Sequence, residues 1–256
     1  MFNLKNILGT KSLSKEDIIT ILDTADSFKE ISTRPIKKVP TLRGKTVINL
    51  FFEPSTRTRT SFEIAGKRLS ADVINISEYS SSSVKGENLI DTALNLEAMH
   101  PDIMVVRHSL SGIPEMLSQF VECPIINAGD GYHEHPTQAL LDLQTIREAK
   151  GTLMGLNVVI VGDIAHSRVV RSNIYAMKTM GMHVKLIGPP TMIPLGIEKM
   201  GVSVSYNLED SIKGMDVIMM LRLQKERQSK YLLSSIREYS NLYCLTSKLL
   251  EKAKDD

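Results

Sequence analysis

Apolar residues along this chain fall into two alternating rhythms. Short runs dense in Val, Ile and Leu are each followed by stretches in which apolar positions return every three or four residues, the pattern of strands joined by crossover helices. The first helix is predicted over 15–31, where Ile18, Ile19, Leu22, Ala25 and Phe28 share a face behind a capping serine, Ser14. A buried strand follows over 45–52 (Val47, Ile48, Leu50, Phe51), then a helix from about 55 to 69 and a strand at 73–76. A helix over 87–99 and strands at 103–106 and 123–127 complete one α/β unit.

Residues 136–150 read as a long amphipathic helix, with Pro136 in its first turn and Gly151 just past its end. A second series comes after it: a strand at 157–161, a helix over 167–180, and strands at 183–187, 202–206 and 216–220. The predicted fold is α/β, two doubly wound parallel-sheet domains, 1–134 and 135–256, joined by the Pro136 helix. No Ser/Gly linker separates them, and the cleft between them is the default site. The one biased tract, Ser80-Ser81-Ser82-Ser83, reads as a mobile loop.

Composition narrows the field. A chain of 256 residues suits two domains, and 31 Lys+Arg against 29 Asp+Glu leaves a net charge of only +2. The basic residues are scattered rather than striped, which argues against a nucleic-acid partner. Hydrophobic residues at 42% and charged ones at 23% are ordinary globular values, and no apolar run approaches the roughly 18 residues of a membrane span. With only Cys123 and Cys244, and a Met-Phe-Asn-Leu-Lys start lacking an apolar signal core, a reducing cytoplasm is expected.

The densest chemistry lies in Phe51-Phe52-Glu53-Pro54-Ser55-Thr56-Arg57-Thr58-Arg59-Thr60-Ser61. A strand ends at Pro54, and hydroxyls and guanidinia then crowd the first turn of a helix, where free N–H groups and the positive dipole end attract an anion. Ser55 alone would be a simple N-cap, and Arg57 and Arg59 a solvated face; together they predict a phosphate cradle. Gly44-Lys45-Thr46 is no Walker motif, because the earlier glycine is Val39 here. Arg107-His108 follows a strand, where open parallel sheets place ligands. His135 and Gln138, three residues apart after the turn Gly129-Asp130-Gly131, are predicted to face the same cleft. His133 and His135 make a poor metal pair, and no metal is expected. Val161-Gly162-Asp163 leading to Ser167-Arg168 lacks Gly-x-Gly-x-x-Gly, so it is no dinucleotide site. Arg168 and Arg222 both follow strands of the second unit and could together hold two carboxylates; by itself Arg222-Leu223-Gln224-Lys225-Glu226-Arg227 would be a solvated loop.

In order, Ser-Thr-Arg-Thr-Arg, Lys-Gly-Glu, Arg-His, His-Pro-Thr-Gln, Ser-Arg and Arg-x-Gln-Lys-Glu-Arg resemble the catalytic chains of the aspartate carbamoyltransferase family over nearly the whole sequence. The sister ornithine carbamoyltransferases typically carry His-Pro-Cys-Gln and lack the last motif, so Thr137 and residues 222–227 point to aspartate. The resemblance implies transfer of the carbamoyl group of carbamoyl phosphate to L-aspartate in pyrimidine biosynthesis, with no cofactor. It implies that Ser55, Thr56, Arg57 and Thr58 hold the phosphate and that Arg107, His135 and Gln138 bind the carbamoyl end, Arg57, Thr58, Arg107 and His135 being catalytic. Arg168, Arg222 and Gln224, with Lys85, would bind aspartate. Ser81 and Lys85 would come from the adjacent subunit, making a homotrimer the smallest active unit, and the family admits a regulatory chain as a further partner.

Members of that family normally continue for several dozen residues, through a His-Pro-Gly-Pro-x-Asn-Arg-Gly segment and a terminal helix. The expectation is therefore a C-terminally incomplete second domain with reduced or absent activity. The alternatives are a phosphometabolite-binding chain without catalysis and a transcarbamoylase for another amine; two arginines at the acceptor site oppose a cationic acceptor.

Overall fold

The computed structural model describes residues 4–77, 88–224 and 235–254. The chain divides into two compact units, Met1–Thr137 and Gln138–Asp256.

In the first unit, α1 (Lys15–Thr33) opens on a reciprocal cap: Ser14 Oγ accepts the Asp17 N–H and the Asp17 carboxylate accepts the Ser14 N–H. Four strands, β1 (Thr46–Phe51), β2 (Asp72–Ser77), β3 (Ile103–His108) and β4 (Ile125–Asp130), form one parallel sheet in the order β2-β1-β3-β4. Both faces of β1 are covered. Ile48 and Leu50 pack with Met104, Val106 and Ile125 on one side, and Val47 and Phe51 with Val105 and Ala128 on the other. The crossovers carry α2 (Thr56–Arg68), α3 (Leu89–Glu97) and the short α4 (Ile113–Leu117).

Two sequence-derived bounds are corrected here. Arg107 and His108 belong to β3 itself rather than following it. The strand expected at 123–127 begins at Ile125 and runs to Asp130, because Pro124 has no N–H to donate and only its carbonyl joins the ladder, accepting from Met104.

The division between units falls inside α5 (Pro136–Lys150), which ends at Gly151 with φ of +70°. In the second unit β5 (Asn157–Val161) is followed by α6 (Arg168–Thr179), β6 (His183–Ile187), β7 (Ser203–Ser205), α7 (Leu208–Ser211) and β8 (Val217–Met220), with α8 (Ile236–Tyr243) and α9 (Ser247–Leu250) after it. The strands are again parallel, in the order β7-β6-β5-β8. Among the described residues, no helix is long and apolar enough to cross a membrane.

Each sheet has one point where its winding reverses: between β1 and β3 in the first, between β5 and β8 in the second. At such a point the loops leaving the two strand ends turn to opposite faces and open a crevice beyond the carboxyl ends. The predicted Ser55–Thr58 turn, Arg168 and Arg222 follow β1, β5 and β8, and Arg107 lies near the end of β3, whereas His135 and Gln138 come after the edge strand β4.

Candidate active site

In the first unit the two strands at the reversal are tied just past the end of β1, where the Phe52 N–H donates to the Arg107 carbonyl at 2.9 Å. Glu53 and Pro54 then lead into α2. Ser55 stands at its N-cap in an extended conformation (φ −158°, ψ 101°), yet its hydroxyl makes no capping hydrogen bond, and no acidic residue occupies the first turn. The first-turn amides, the dipole and the Thr56, Arg57 and Thr58 side chains thus form a positive, donor-rich end suited to a phosphate.

Arg107 is nearly buried as a whole residue, at 9% exposure. Its Nη1 lies 3.1 Å from the Ala128 carbonyl on β4 and 3.5 Å from Thr58 Oγ1 on α2, while Nε stands 3.3 Å from Glu53 Oε2. The guanidinium is therefore oriented by three separate segments. A fixed fork of N–H donors is what a developing oxyanion needs, since no reorganisation is required at the moment of reaction.

His135 reaches its place through a buried carboxylate network. Asn127 Nδ2 donates to Asp130 Oδ1 at 2.8 Å, which also accepts the Glu134 N–H, and Asp130 Oδ2 accepts the Gly112 N–H at 2.6 Å and contacts His133 Nδ1 at 3.0 Å. The Glu134 carboxylate in turn accepts both the N–H and the hydroxyl of Thr10, at 2.6 and 2.9 Å. Gly131, with φ of +41°, must be glycine, because a Cβ would lie 2.6 Å from the Ser111 nitrogen. The buried His135 ring follows, with Nδ1 3.4 Å from Thr137 Oγ1.

In the second unit the turn after β5 needs Gly162: its φ is +129°, and a Cβ would meet Leu221 Cβ and Tyr239 Oη at 3.0 Å each. Asp163, fully buried, contacts His166 Nδ1 at 2.7 Å and accepts the N–H of Gln224, beyond β8, at 3.2 Å. One carboxylate thus joins the two segments at the reversal. Arg168, the first residue of α6, is buried, whereas Arg222 is exposed with Nη2 3.1 Å from Gln224 Oε1. Gln138, in the first turns of α5, donates from Nε2 to Asp142 Oδ1 at 2.9 Å. Burial raises the Asp142 carboxyl above its ordinary value, opposed by the amides of Asn173 and Gln138. Desolvation, with Asp163 adding to it, pushes the Tyr239 hydroxyl up to about 12.

Of the sequence-predicted residues, the structure brings Arg107 and Thr58 together in the first unit and Arg222 and Gln224 together in the second. Ser81, Lys85, the serine tract and residues 225–227 lie outside the described residues. Sequence reading gave no role to Glu53, Asp130, Glu134, Thr10 or Asp163. The usable signal was a carboxylate placed directly after a buried apolar run, as in Val161-Gly162-Asp163, since such a group needs partners to be tolerated. Among the described residues no cluster of His, Cys, Asp or Glu is arranged to hold a metal ion.

Residues 5–148 match the family profile described as aspartate/ornithine carbamoyltransferase, carbamoyl-P binding domain, and 154–256 match the Asp/Orn binding domain of the same family. The chain is 64% identical over 252 residues to the aspartate carbamoyltransferase catalytic subunit of Syntrophus aciditrophicus, covering 98% of this chain and 82% of that protein. It is 62% identical to the corresponding subunit of Syntrophotalea carbinolica, covering 100% of this chain and again 82% of the relative. Among solved structures, aspartate transcarbamoylase from Trypanosoma cruzi in complex with N-(phosphonacetyl)-L-aspartic acid superposes with a TM-score of 0.89 at 30% identity, covering 100% of this chain and 83% of that one. The catalytic subunit from M. jannaschii gives 0.79 at 37% identity, over 93% and 79% of the two chains.

Proposed function

The chain belongs to the aspartate/ornithine carbamoyltransferase family, and from that premise we propose how its residues divide the work of the reaction. The protein is a transferase of pyrimidine biosynthesis: it moves the carbamoyl group of carbamoyl phosphate to the amino group of L-aspartate, giving N-carbamoyl-L-aspartate and phosphate.

Ser55, Thr56, Arg57 and Thr58 hold the phosphate at the amino end of α2, and Arg107, His135 and Gln138 engage the carbamoyl group. Arg168, Arg222 and Gln224 take the two carboxylates of aspartate, which guanidinia can grip bidentately. Ser81 and Lys85 reach the site from an adjacent subunit of a homotrimer working in the cytoplasm, and a regulatory chain is a further candidate partner. The neutral aspartate amine attacks the carbamoyl carbon and a C–N bond forms. The carbonyl oxygen becomes an oxyanion met by Arg57, Thr58, Arg107 and His135. The intermediate then collapses, the C–O bond to phosphate breaks with its electron pair, and the amine's extra proton leaves to the departing phosphate or to water. The reading assigns no covalent enzyme intermediate, metal or cofactor to this route.

The observation that supports this division is the distance of 3.5 Å between Arg107 Nη1 and Thr58 Oγ1, so that the proposed oxyanion donor stands beside the proposed phosphate cradle. Transfer of radiolabelled carbamoyl from carbamoyl phosphate tests it, with aspartate and ornithine offered separately. Labelled carbamoyl-aspartate is expected, with no transfer to ornithine; labelled citrulline, or no product with either amine, would overturn it. Sedimentation velocity is expected to give the mass of three chains.

A further inference from the structure

In the second unit Asp142, one turn along α5 from Gln138, takes two hydrogen bonds from two different helices: Gln138 Nε2 donates to Oδ1 at 2.9 Å and Asn173 Nδ2, on α6, donates to Oδ2 at 2.7 Å. A pair four residues apart on one helix is by itself an ordinary stabilising contact. The second arm makes this one different. Asn173 is fully buried, and its Nδ2 is also held by the Val169 carbonyl at 3.1 Å, next to Arg168 at the start of α6. The carboxylate is thus pinned from both sides.

An ionised carboxylate has only acceptors, so each amide facing it must present its NH2. Asn173 shows the strength of that demand: its Oδ1 is turned into the interior, where it meets no donor among the described residues. Applied to Gln138, the same demand turns Oε1 away from Asp142.

Resting on the assignment of Gln138 to the carbamoyl end, we propose that Asp142 is a positioning residue for donor selectivity: it locks the Gln138 amide so that an acceptor oxygen, never an NH2, faces the substrate. The ligand chemistry this selects is an acyl phosphate carrying an N–H donor. Carbamoyl phosphate has that –NH2; acetyl phosphate, the same phosphate on a methyl-capped carbonyl, does not. With Asp142 removed the amide is free to turn over, and a misplaced NH2 then confronts the carbamoyl NH2 with nothing to accept it, a mismatch of the kind that leaves a polar group unpaired.

Calorimetric titration of the whole chain with carbamoyl phosphate and with acetyl phosphate reads this directly, as a ratio of two dissociation constants. Asp142→Asn changes little in shape and can no longer accept from both amides in one orientation; Asp142→Ala, which offers Gln138 nothing, is the second variant should the first fail to fold. Either is expected to weaken carbamoyl phosphate about tenfold or more while leaving acetyl phosphate unchanged, in line with the loss of a hydrogen bond in a desolvated site. In a Gln138→Ala background the Asp142 substitution is expected to have no further effect on that ratio. Equal weakening of both ligands, or an effect of full size in the Gln138→Ala background, would overturn the proposal and leave Asp142 as a bridge between helices. A Gln138→Ala variant with wild-type selectivity would overturn it at a different step, by removing Gln138 from the carbamoyl site.

Discussion

Glu53 Oε2 lies 3.3 Å from Arg107 Nε, and the two side chains are only 19% and 10% exposed, so the guanidinium proposed to meet the carbamoyl oxygen is itself held by a carboxylate from the other side of the sheet reversal. Glu53→Ala removes that carboxylate, while the Ala128 carbonyl and the Thr58 hydroxyl stay in place beside the guanidinium. Breaking a largely buried pair from one side is expected to cost about 3 kcal/mol, the lower end of the usual range because those contacts remain. A lower urea midpoint together with weaker carbamoyl phosphate binding is the expected result.

Under the proposed division of roles, Arg57→Ala and His135→Ala are expected to act on the chemistry rather than on the fold. Arg57 is exposed at the start of α2, and the turn before His135 is held by the Asp130 and Glu134 network. Removal of one oxyanion donor is expected to lower turnover by about 10² to 10³. Steady-state rates beside far-ultraviolet dichroism check both halves of that statement, since the spectra are expected to match wild type.

If Lys85 serves a neighbouring chain's site, Lys85→Ala and Arg57→Ala chains damage different halves of a composite site. Each alone is expected to be nearly inactive. After unfolding and reassembly as a mixture, some interfaces join two intact halves, and partial recovery of transfer is expected. Recovery no greater than the sum of the parents would restrict each site to one chain.

Asp216, just before β8, accepts the Asn157 N–H at 2.7 Å and pairs with Lys254, and these contacts, the lysine hydrogen bond first, hold its carboxyl below the ordinary value of 3.8. A depressed folded-state value means stability that is fully present above the unfolded value and lost as pH falls through the folded one. Asp216→Ala is expected to cost about 1.5 kcal/mol at neutral pH, the low end for a hydrogen bond to a charged group because the Lys254 partner is half exposed. The gap from wild type is expected to shrink below about pH 3.8; denaturation curves at neutral and acid pH measure it.

Much of the architecture could be read from local pattern, because a strand or helix is set by the spacing of its own apolar residues and caps. Ser14 with Asp17, the Val158–Val161 run and the Pro136 start of α5 all appear where that spacing puts them. Even α8 carries a local signal, Ser235 followed by Glu238, whose N–H the serine hydroxyl caps at 3.0 Å, although the apolar pattern after β8 is too weak to predict the helix.

Sequence by itself determined the two α/β units, the donor-rich turn at Ser55 and the class of anion it suits, since these depend on residues adjacent in the chain. Tertiary structure alone decided the strand orders β2-β1-β3-β4 and β7-β6-β5-β8, and with them the meeting of Thr58 with Arg107 and of Asp163 with the Gln224 amide. Periodicity records which face of a strand is buried but not which strand lies beside it. That choice is made by crossover handedness and by packing across the sheet, which is why Arg107 finds Glu53 and Thr58, Glu134 finds Thr10 and Asp163 finds Gln224 across long stretches of chain.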